Sequence, residues 1–272
     1  MYKLVALDLD GTLLTNDSKI SRYNAQTLNS MRKKGIKVAF VTGRIYPNAK
    51  EHAKSLEIVD FVSCCNGACL VDCKTDNYVY RDSIEGDSLI AILKILEKYD
   101  LYYEFYVENI IYSQNRAIDL LHEMYPEMDI FQGNTAEVVV VEDLIHMVIN
   151  QGSIVDKIFV ISNNKDDLIM ARDEITKSLS LSITSSGGFN FEITNKGVDK
   201  SCGLRYLEEH YNISREEIIA FGDNENDLSM LEYAGMGVAM ENAVDIVKSK
   251  CSYITDSNMD DGVATALNKL II

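Results

Sequence analysis

Apolar and polar positions along this chain fall into blocks that read as strand, turn and helix from the first residues. Leu4 to Leu14 runs L-V-A-L-D-L-D-G-T-L-L, an apolar stretch that meets Asp8 and Asp10 and breaks at Gly11. An apolar run of that length bounded by a turn predicts a buried strand. Ser21 can cap a helix through Lys34, with Gly35 as its stop. Ile36 to Val41 predicts a second strand, ending in Thr42-Gly43-Arg44, and Pro47 suits the first turn of a helix to Leu56. Phe61 to Cys65 predicts a third strand, ending in Asn66-Gly67. The last third repeats the pattern: a helix from Lys200 to Tyr211, a strand from Ile218 to Phe221 ending in Gly222-Asp223, a helix from Asp227 to Ala234, a strand from Gly237 to Met240 and a helix from Ala243 to Lys250. Strands that each end in polar residues or glycine predict a parallel sheet with ligands at its carboxyl edge.

The middle of the chain is patterned differently. Leu89 to Tyr99 and Leu168 to Leu179 read as helices, while Tyr102 to Tyr112, Val138 to Val141 and Ile158 to Ser162 carry the aromatic and β-branched residues of strands. Such runs suit a mixed module with an antiparallel sheet. The tyrosines from Tyr99 to Tyr112 are expected to pack in its core. The predicted fold class is α/β: a doubly wound, mostly parallel sheet built from residues 1–84 and 189–272, with an α+β cap domain inserted at 85–188. Small residues at Ser83 to Gly86 and Ser185 to Gly188 suit hinges.

Composition narrows the function classes. The 272 residues are 47% hydrophobic and 25% charged, enough for a sizeable core. A net charge of -16 speaks against nucleic-acid and anionic-membrane partners. It also means that a phosphate site here needs local cations to reverse the field. No segment is long and apolar enough to span a bilayer and no signal peptide is evident, so a cytoplasmic location is expected. Cys64, Cys65, Cys69 and Cys73 cluster without a CxxC pair and are expected to be buried thiols. His122, His146 and His210 show no metal-binding spacing.

Asp8 and Asp10 carry the first chemical signal. Residues two apart share one face of a strand, so their carboxylates are expected side by side. Like charges that close are costly unless a cation joins them. Oxygen ligands without His or Cys favour Mg²⁺ over zinc. Three further pieces fall at strand ends or helix starts: Thr42-Gly43-Arg44, Lys200, and Gly222-Asp223-Asn224-Glu225-Asn226-Asp227. In a doubly wound sheet such ends converge.

The ordered set D-x-D-G-T-L, V-T-G-R, C-N-G-A, K-G-V-x-K and G-D-x-x-N-D resembles the haloacid-dehalogenase-like phosphatases, and among them the Cof-type sugar phosphatases. The resemblance spans the chain. It implies a Mg²⁺-dependent phosphatase of small phosphorylated metabolites, sugar phosphates above all, working through an aspartyl-phosphate. Asp8 would be the nucleophile and Asp10 the acid and then the base, its backbone carbonyl also touching the metal. Asp223 would complete the protein ligands, with Asp227 a further acidic partner. Thr42 would bond a phosphoryl oxygen, and Lys200 would neutralise charge on Asp8 and the phosphoryl group. Gly43, Asn66 and Asn226 would line the same cavity, and the backbone N–H groups of Gly11 and Thr12 would add donors. Arg44 reads either as a surface ion pair or as a substrate contact. Lys196 or Lys200 could reach inward; the family pattern favours Lys200, although the glycine that usually follows is Ser201 here. The same aspartyl-phosphate could serve a phosphotransferase or phosphohexomutase, and the scaffold could serve a phosphate-ligand sensor. A monomer or weak homo-oligomer is expected.

Overall fold

A computed structural model of the chain describes residues 1–124, 135–144, 146–147, 154–185 and 189–271. In chain order the elements are β1 (Leu4–Leu7), α1 (Arg22–Lys33), β2 (Lys37–Val41), α2 (Tyr46–Leu56), β3 (Phe61–Cys64), β4 (Cys69–Asp72) and β5 (Asn77–Arg81). There follow α3 (Gly86–Leu96), β6 (Tyr102–Val107), β7 (Ile110–Ser113), α4 (Asn115–Met124), β8 (Glu137–Val140), β9 (Lys157–Ile161), α5 (Lys165–Ser178), β10 (Ser182–Thr184) and β11 (Asn190–Thr194). The chain closes with α6 (Cys202–Tyr211), β12 (Ile218–Gly222), α7 (Leu228–Tyr233), β13 (Met236–Ala239), α8 (Asp245–Lys250), β14 (Tyr253–Ile254) and α9 (Gly262–Leu270).

Contacts divide these elements into two compact units, a core unit of Met1–Arg44, Ala49–Tyr80 and Asp199–Ile272, and an inserted unit of Ile45–Asn48 and Arg81–Val198. The core sheet runs β14-β13-β12-β1-β2-β3-β4-β5. Its strands from β14 to β3 are parallel, and β4 turns back antiparallel on β3. From β1 the chain steps outward through β2 and β3; from β12 it steps outward the other way. The reversal lies between β1 and β12, the place where open α/β sheets hold ligands. All four residues of β1 are fully buried, as a strand covered on both faces must be. Register pairs Leu7 with both Phe40 and Phe221, so the carboxyl ends of β1, β2 and β12 lie level. The capped helix expected after Ser21 is α1, whose Asn24 N–H donates to the Ser21 hydroxyl at 3.0 Å.

The inserted unit has its own sheet, β10-β11-β9-β6-β7-β8. One sheet face carries Tyr103, Phe105, Ile158, Val160, Phe191 and Ile193, which form a core with Leu89, Leu93, Leu168 and Ile175 of α3 and α5. Tyr103 and Phe105 stack there at 5.6 Å and Tyr99 and Tyr112 pack against that core, whereas Tyr102 and Tyr106 lie outside it, under Arg116 and Lys157.

Two expected boundaries need correction. The inserted unit begins at Arg81 rather than 85. Buried Asp156 accepts from Arg81 Nε at 2.7 Å, from Ser83 Oγ at 2.6 Å and from Glu108 N at 2.8 Å, while Ile84 pairs with Val155. Ser83 and Ile84 are thus fastened into this unit rather than left as a loose hinge. The unit ends after Val198, not at 188, because β11 pairs with both β9 and β10. Residues 186–188 of the second expected hinge lie outside the described ones. No helix among the described residues is long and apolar enough to cross a membrane.

Candidate active site

β1 stops at Leu7, so Asp8 and Asp10 do not share a strand face as the spacing predicts. Asp8 stands buried just past the strand end, with its N–H on Phe221 O at 3.1 Å. Asp10 lies beyond it in a turn, and its side chain is 58% exposed. Their partners differ accordingly. Lys200 Nζ, 2% exposed, donates to Asp8 Oδ1 and to Asp227 Oδ1, both at 2.6 Å. Arg44 forks onto Asp10, Nε to Oδ2 at 2.8 Å and Nη2 to Oδ1 at 2.6 Å. Between Lys196 and Lys200, it is Lys200 that meets Asp8; Lys196 is exposed.

The turn after β12 supplies the other carboxylates. Asp227 is fully buried, and its Oδ2 accepts from the N–H groups of Asp223 and Asn224, each at 2.9 Å. Thr12, also buried, donates its hydroxyl to Asp223 Oδ1 at 2.9 Å, while its N–H closes a turn on Leu9 O at 3.3 Å. Gly11 is required between these groups: its φ is +81°, and a Cβ there would lie 2.4 Å from Asp223 Oδ2.

β2 delivers Thr42, which is buried. Its Oγ1 accepts from Arg44 N at 3.1 Å, which leaves the hydroxyl proton to donate elsewhere. Asn66 follows β3 with φ +54°, donates its N–H to Thr42 O at 3.0 Å, and accepts from Asn226 Nδ2 at 3.3 Å. Gly67 faces Asp199, whose carbonyl oxygen would lie 1.9 Å from any Cβ. That close approach brings the β3–β4 turn against the segment carrying Lys200. Ser201 needs no glycine geometry, with φ -79° and ψ -16°, and its N–H bonds Asp199 Oδ1 at 2.8 Å.

Electrostatics separate the two aspartates further. Burial, then the charge of Asp227, push the Asp8 carboxyl well up against the opposing pull of Lys200. Burial and Asp227 likewise raise Asp223, to about 6. For Asp10, burial works against the charged form, yet the Arg44 hydrogen bonds and charge outweigh it and hold the carboxyl below its usual value. Four carboxylates, Asp8, Asp10, Asp223 and Asp227, therefore face two cations, Lys200 and Arg44. Single oxygens of Asp8, Asp223 and Asp227 lie within 4.8 Å of one another and could hold a metal ion. An all-oxygen set with surplus negative charge fits a hard dication.

The cysteines remain thiols. Hydrogen bonding with Cys64 and Cys65 that favours the neutral thiol, then burial, pushes Cys69 well above its ordinary value. Among the described residues the acidic trio is the group with metal-binding spacing. His210 is exposed and stacks on Tyr206 at 4.0 Å, and His146 is exposed as well.

A family model of haloacid dehalogenase-like hydrolases matches residues 5–267. The chain belongs to the haloacid dehalogenase-like hydrolases. It is 31% identical over 283 residues to the 5-amino-6-(5-phospho-D-ribitylamino)uracil phosphatase YwtE of Bacillus subtilis, covering 99% of this chain and 98% of that one. It is 29% identical to YcsE, a phosphatase of the same named substrate from the same organism, covering 99% and 96%. The solved structure of a haloacid dehalogenase-like hydrolase from B. subtilis superposes with a TM-score of 0.87 at 30% identity, over 99% of this chain and all of that one. These relatives set the chain among the phosphoric monoester hydrolases.

Two site neighbours of this hydrolase escape a sequence reading. Asn242 donates Nδ2 to Gly11 O at 2.8 Å and receives Asn258 N at 3.0 Å. The strand-end rule that flags Thr42 and Asp223 would also flag Asn242, just past β13. His52 lies in α2, with Nε2 3.1 Å from Arg44 Nη1. Eight positions separate it from Arg44, which itself precedes the helix, and no local pattern links them.

Proposed function

We propose that this hydrolase cleaves small phosphate monoesters by transferring the phosphoryl group to Asp8 and then to water. The observation that carries the reading is Asp8 itself: a buried carboxylate at the reversal point of the sheet, bonded to Lys200 and crowded by Asp223 and Asp227. With Lys200 shared between Asp8 and Asp227, negative charge is left over at Asp8, and a phosphorus atom attacked in line is an electrophile that would take it up.

Asp8, Asp223 and Asp227 would hold Mg²⁺, with the backbone carbonyl of Asp10 as a further oxygen. Bound there, the ion would offset the repulsion between an anionic nucleophile and an anionic phosphate. Lys200 neutralises charge on Asp8 and on the equatorial phosphoryl oxygens as the transition state forms. Thr42 donates its uncommitted hydroxyl proton to one of those oxygens. Gly11, Gly43, Asn66 and Asn226 would line the phosphate cavity, whereas the Thr12 N–H expected as a donor is already spent on Leu9 O. Asp10 gives a proton to the leaving alkoxide and takes one from the attacking water. Ionised beside Arg44, Asp10 is ready for the second task; the first needs one carboxyl oxygen to carry a proton while Arg44 keeps the group aimed.

The relatives named for a phosphoribityl substrate point to sugar and polyol phosphates as the class. The test is phosphate release from a panel of hexose, pentose and polyol phosphates, with and without Mg²⁺, beside Asp8→Asn. Metal-dependent release that the variant lacks supports the reading. Release that survives in Asp8→Asn ends it, and phosphate appearing on an isomeric sugar instead of free in solution replaces hydrolysis with transfer.

A further inference from the structure

Arg44 spends three nitrogens on two partners. Nε and Nη2 fork onto Asp10, and Nη1 lies 3.1 Å from His52 Nε2. A guanidinium has only donors, so His52 Nε2 must accept and Nδ1 must carry the ring proton. The ring is then neutral. Burial first, and the Arg44 charge second, keep His52 below the ordinary histidine value, against the pull of Asp10 and Glu51, the other charged groups that act on it. All three residues belong to the core unit.

We propose that His52 is a positioning residue for the acid–base step, its Nε2 lone pair fixing Arg44 so that Arg44 fixes the Asp10 carboxylate. The geometry explains why a fork of two bonds is backed by a third. Arg44 and Asp10 are both part exposed, with side chains 24% and 58% accessible, and an exposed pair held only to each other loses little by swinging apart. A third bond to a helix ties the plane of the guanidinium to the fold. Asp10 touches solvent, so its orientation has to be imposed. Asp8 needs no such device, because it is buried against Lys200.

The inference rests on the reading of Asp10 as the acid–base group, and the experiment separates the two. Wild type, His52→Phe, His52→Leu and His52→Gln are compared with Mg²⁺ on glycerol phosphate, whose alkoxide needs a proton, and on p-nitrophenyl phosphate, whose phenolate does not. His52→Phe and His52→Leu are expected to lower kcat on glycerol phosphate by about tenfold, less on p-nitrophenyl phosphate, with KM within about twofold. His52→Gln keeps an acceptor oxygen and is expected to restore kcat to within about threefold. Equal losses in His52→Gln and His52→Phe, or none in either, overturn the proposal, since both describe packing rather than positioning. A wild type inactive on every ester removes the phosphatase reading alone. The arginine side-chain ¹⁵N–¹H spectrum then decides for His52. Separate Nη resonances for Arg44 in wild type and His52→Gln, merged in His52→Phe, support the contact; identical spectra in all three refute it.

Discussion

Each unit of this chain buries a lysine among carboxylates, and the two places behave differently. In the inserted unit Lys157, 2% exposed, bonds Glu192 and lies 4.3 Å from the centre of the Tyr106 ring. Glu104 nearby is raised by burial, while its Ser113 hydrogen bond and the Lys157 charge pull the other way. Among the described residues no other carboxylate contributes to that shift. In the core unit Lys200 faces Asp8 and Asp227 at once, and Asp227 pushes up both Asp8 and Asp223. Burial alone is common to both. Repulsion among neighbouring carboxylates is what singles out the core cluster, and a bound cation would relieve it.

The sharpest way to break this comparison is at Asp8. Asp8→Asn keeps shape and removes the proposed nucleophile, and phosphate release is expected to fall by about 10³-fold or more. Next come the two lysines. Removing one partner of a buried pair costs about 3–5 kcal/mol, so Lys200→Met and Lys157→Met should both lower the urea midpoint strongly. Lys200→Met should also lose most turnover and regain stability with Mg²⁺. Lys157→Met should keep turnover of p-nitrophenyl phosphate within about threefold and gain nothing extra from Mg²⁺. Loss of activity in both variants would erase the distinction.

pH sharpens it further. Asp223 titrates at about 6 in the folded chain, above the 3.8 of the ordinary carboxyl. Between those values the native state binds more protons than the unfolded one, so metal-free stability from this group falls as pH rises through that window and levels off above it. Binding of Mg²⁺ needs the ionised form. The rise in Tm on adding Mg²⁺ should therefore be larger at pH 7.5 than at pH 5. The smallest effect is a control far from the site chemistry: Ser21→Ala removes the α1 cap, and should cost about 1 kcal/mol in denaturant unfolding with kcat unchanged.

What was legible in the sequence was whatever local pattern decides. The run before Asp8, the cap at Ser21 and the strand-end signals at Thr42, Asn66 and Asp223 each have a local cause, and the parallel sheet follows from their repetition. The hairpin β4–β5 carries no such local signal, because Asn77 to Arg81 is mixed in polarity and nowhere fully buried. The boundary at 198 depended on β11 pairing with β9, a contact between distant segments that no local pattern announces. At the site, the spacing of Asp8 and Asp10 suggested a shared face. The strand's end at Leu7 instead sent one inward to Lys200 and the other outward to Arg44. The family pattern favours Lys200 over Lys196, but its bond to Asp8 crosses 192 positions, and no local pattern announces the contact of His52 with Arg44.

The most direct test of the central claim is to trap the intermediate. The enzyme is quenched during turnover with Mg²⁺ and a phosphate monoester, reduced with borohydride and digested for mass spectrometry. An aspartyl-phosphate at position 8 is expected to appear as homoserine in the peptide containing Leu7 and Leu9, and only when substrate was present. Undiminished phosphate release with an unreduced Asp8, or reduction at another carboxylate, would contradict it.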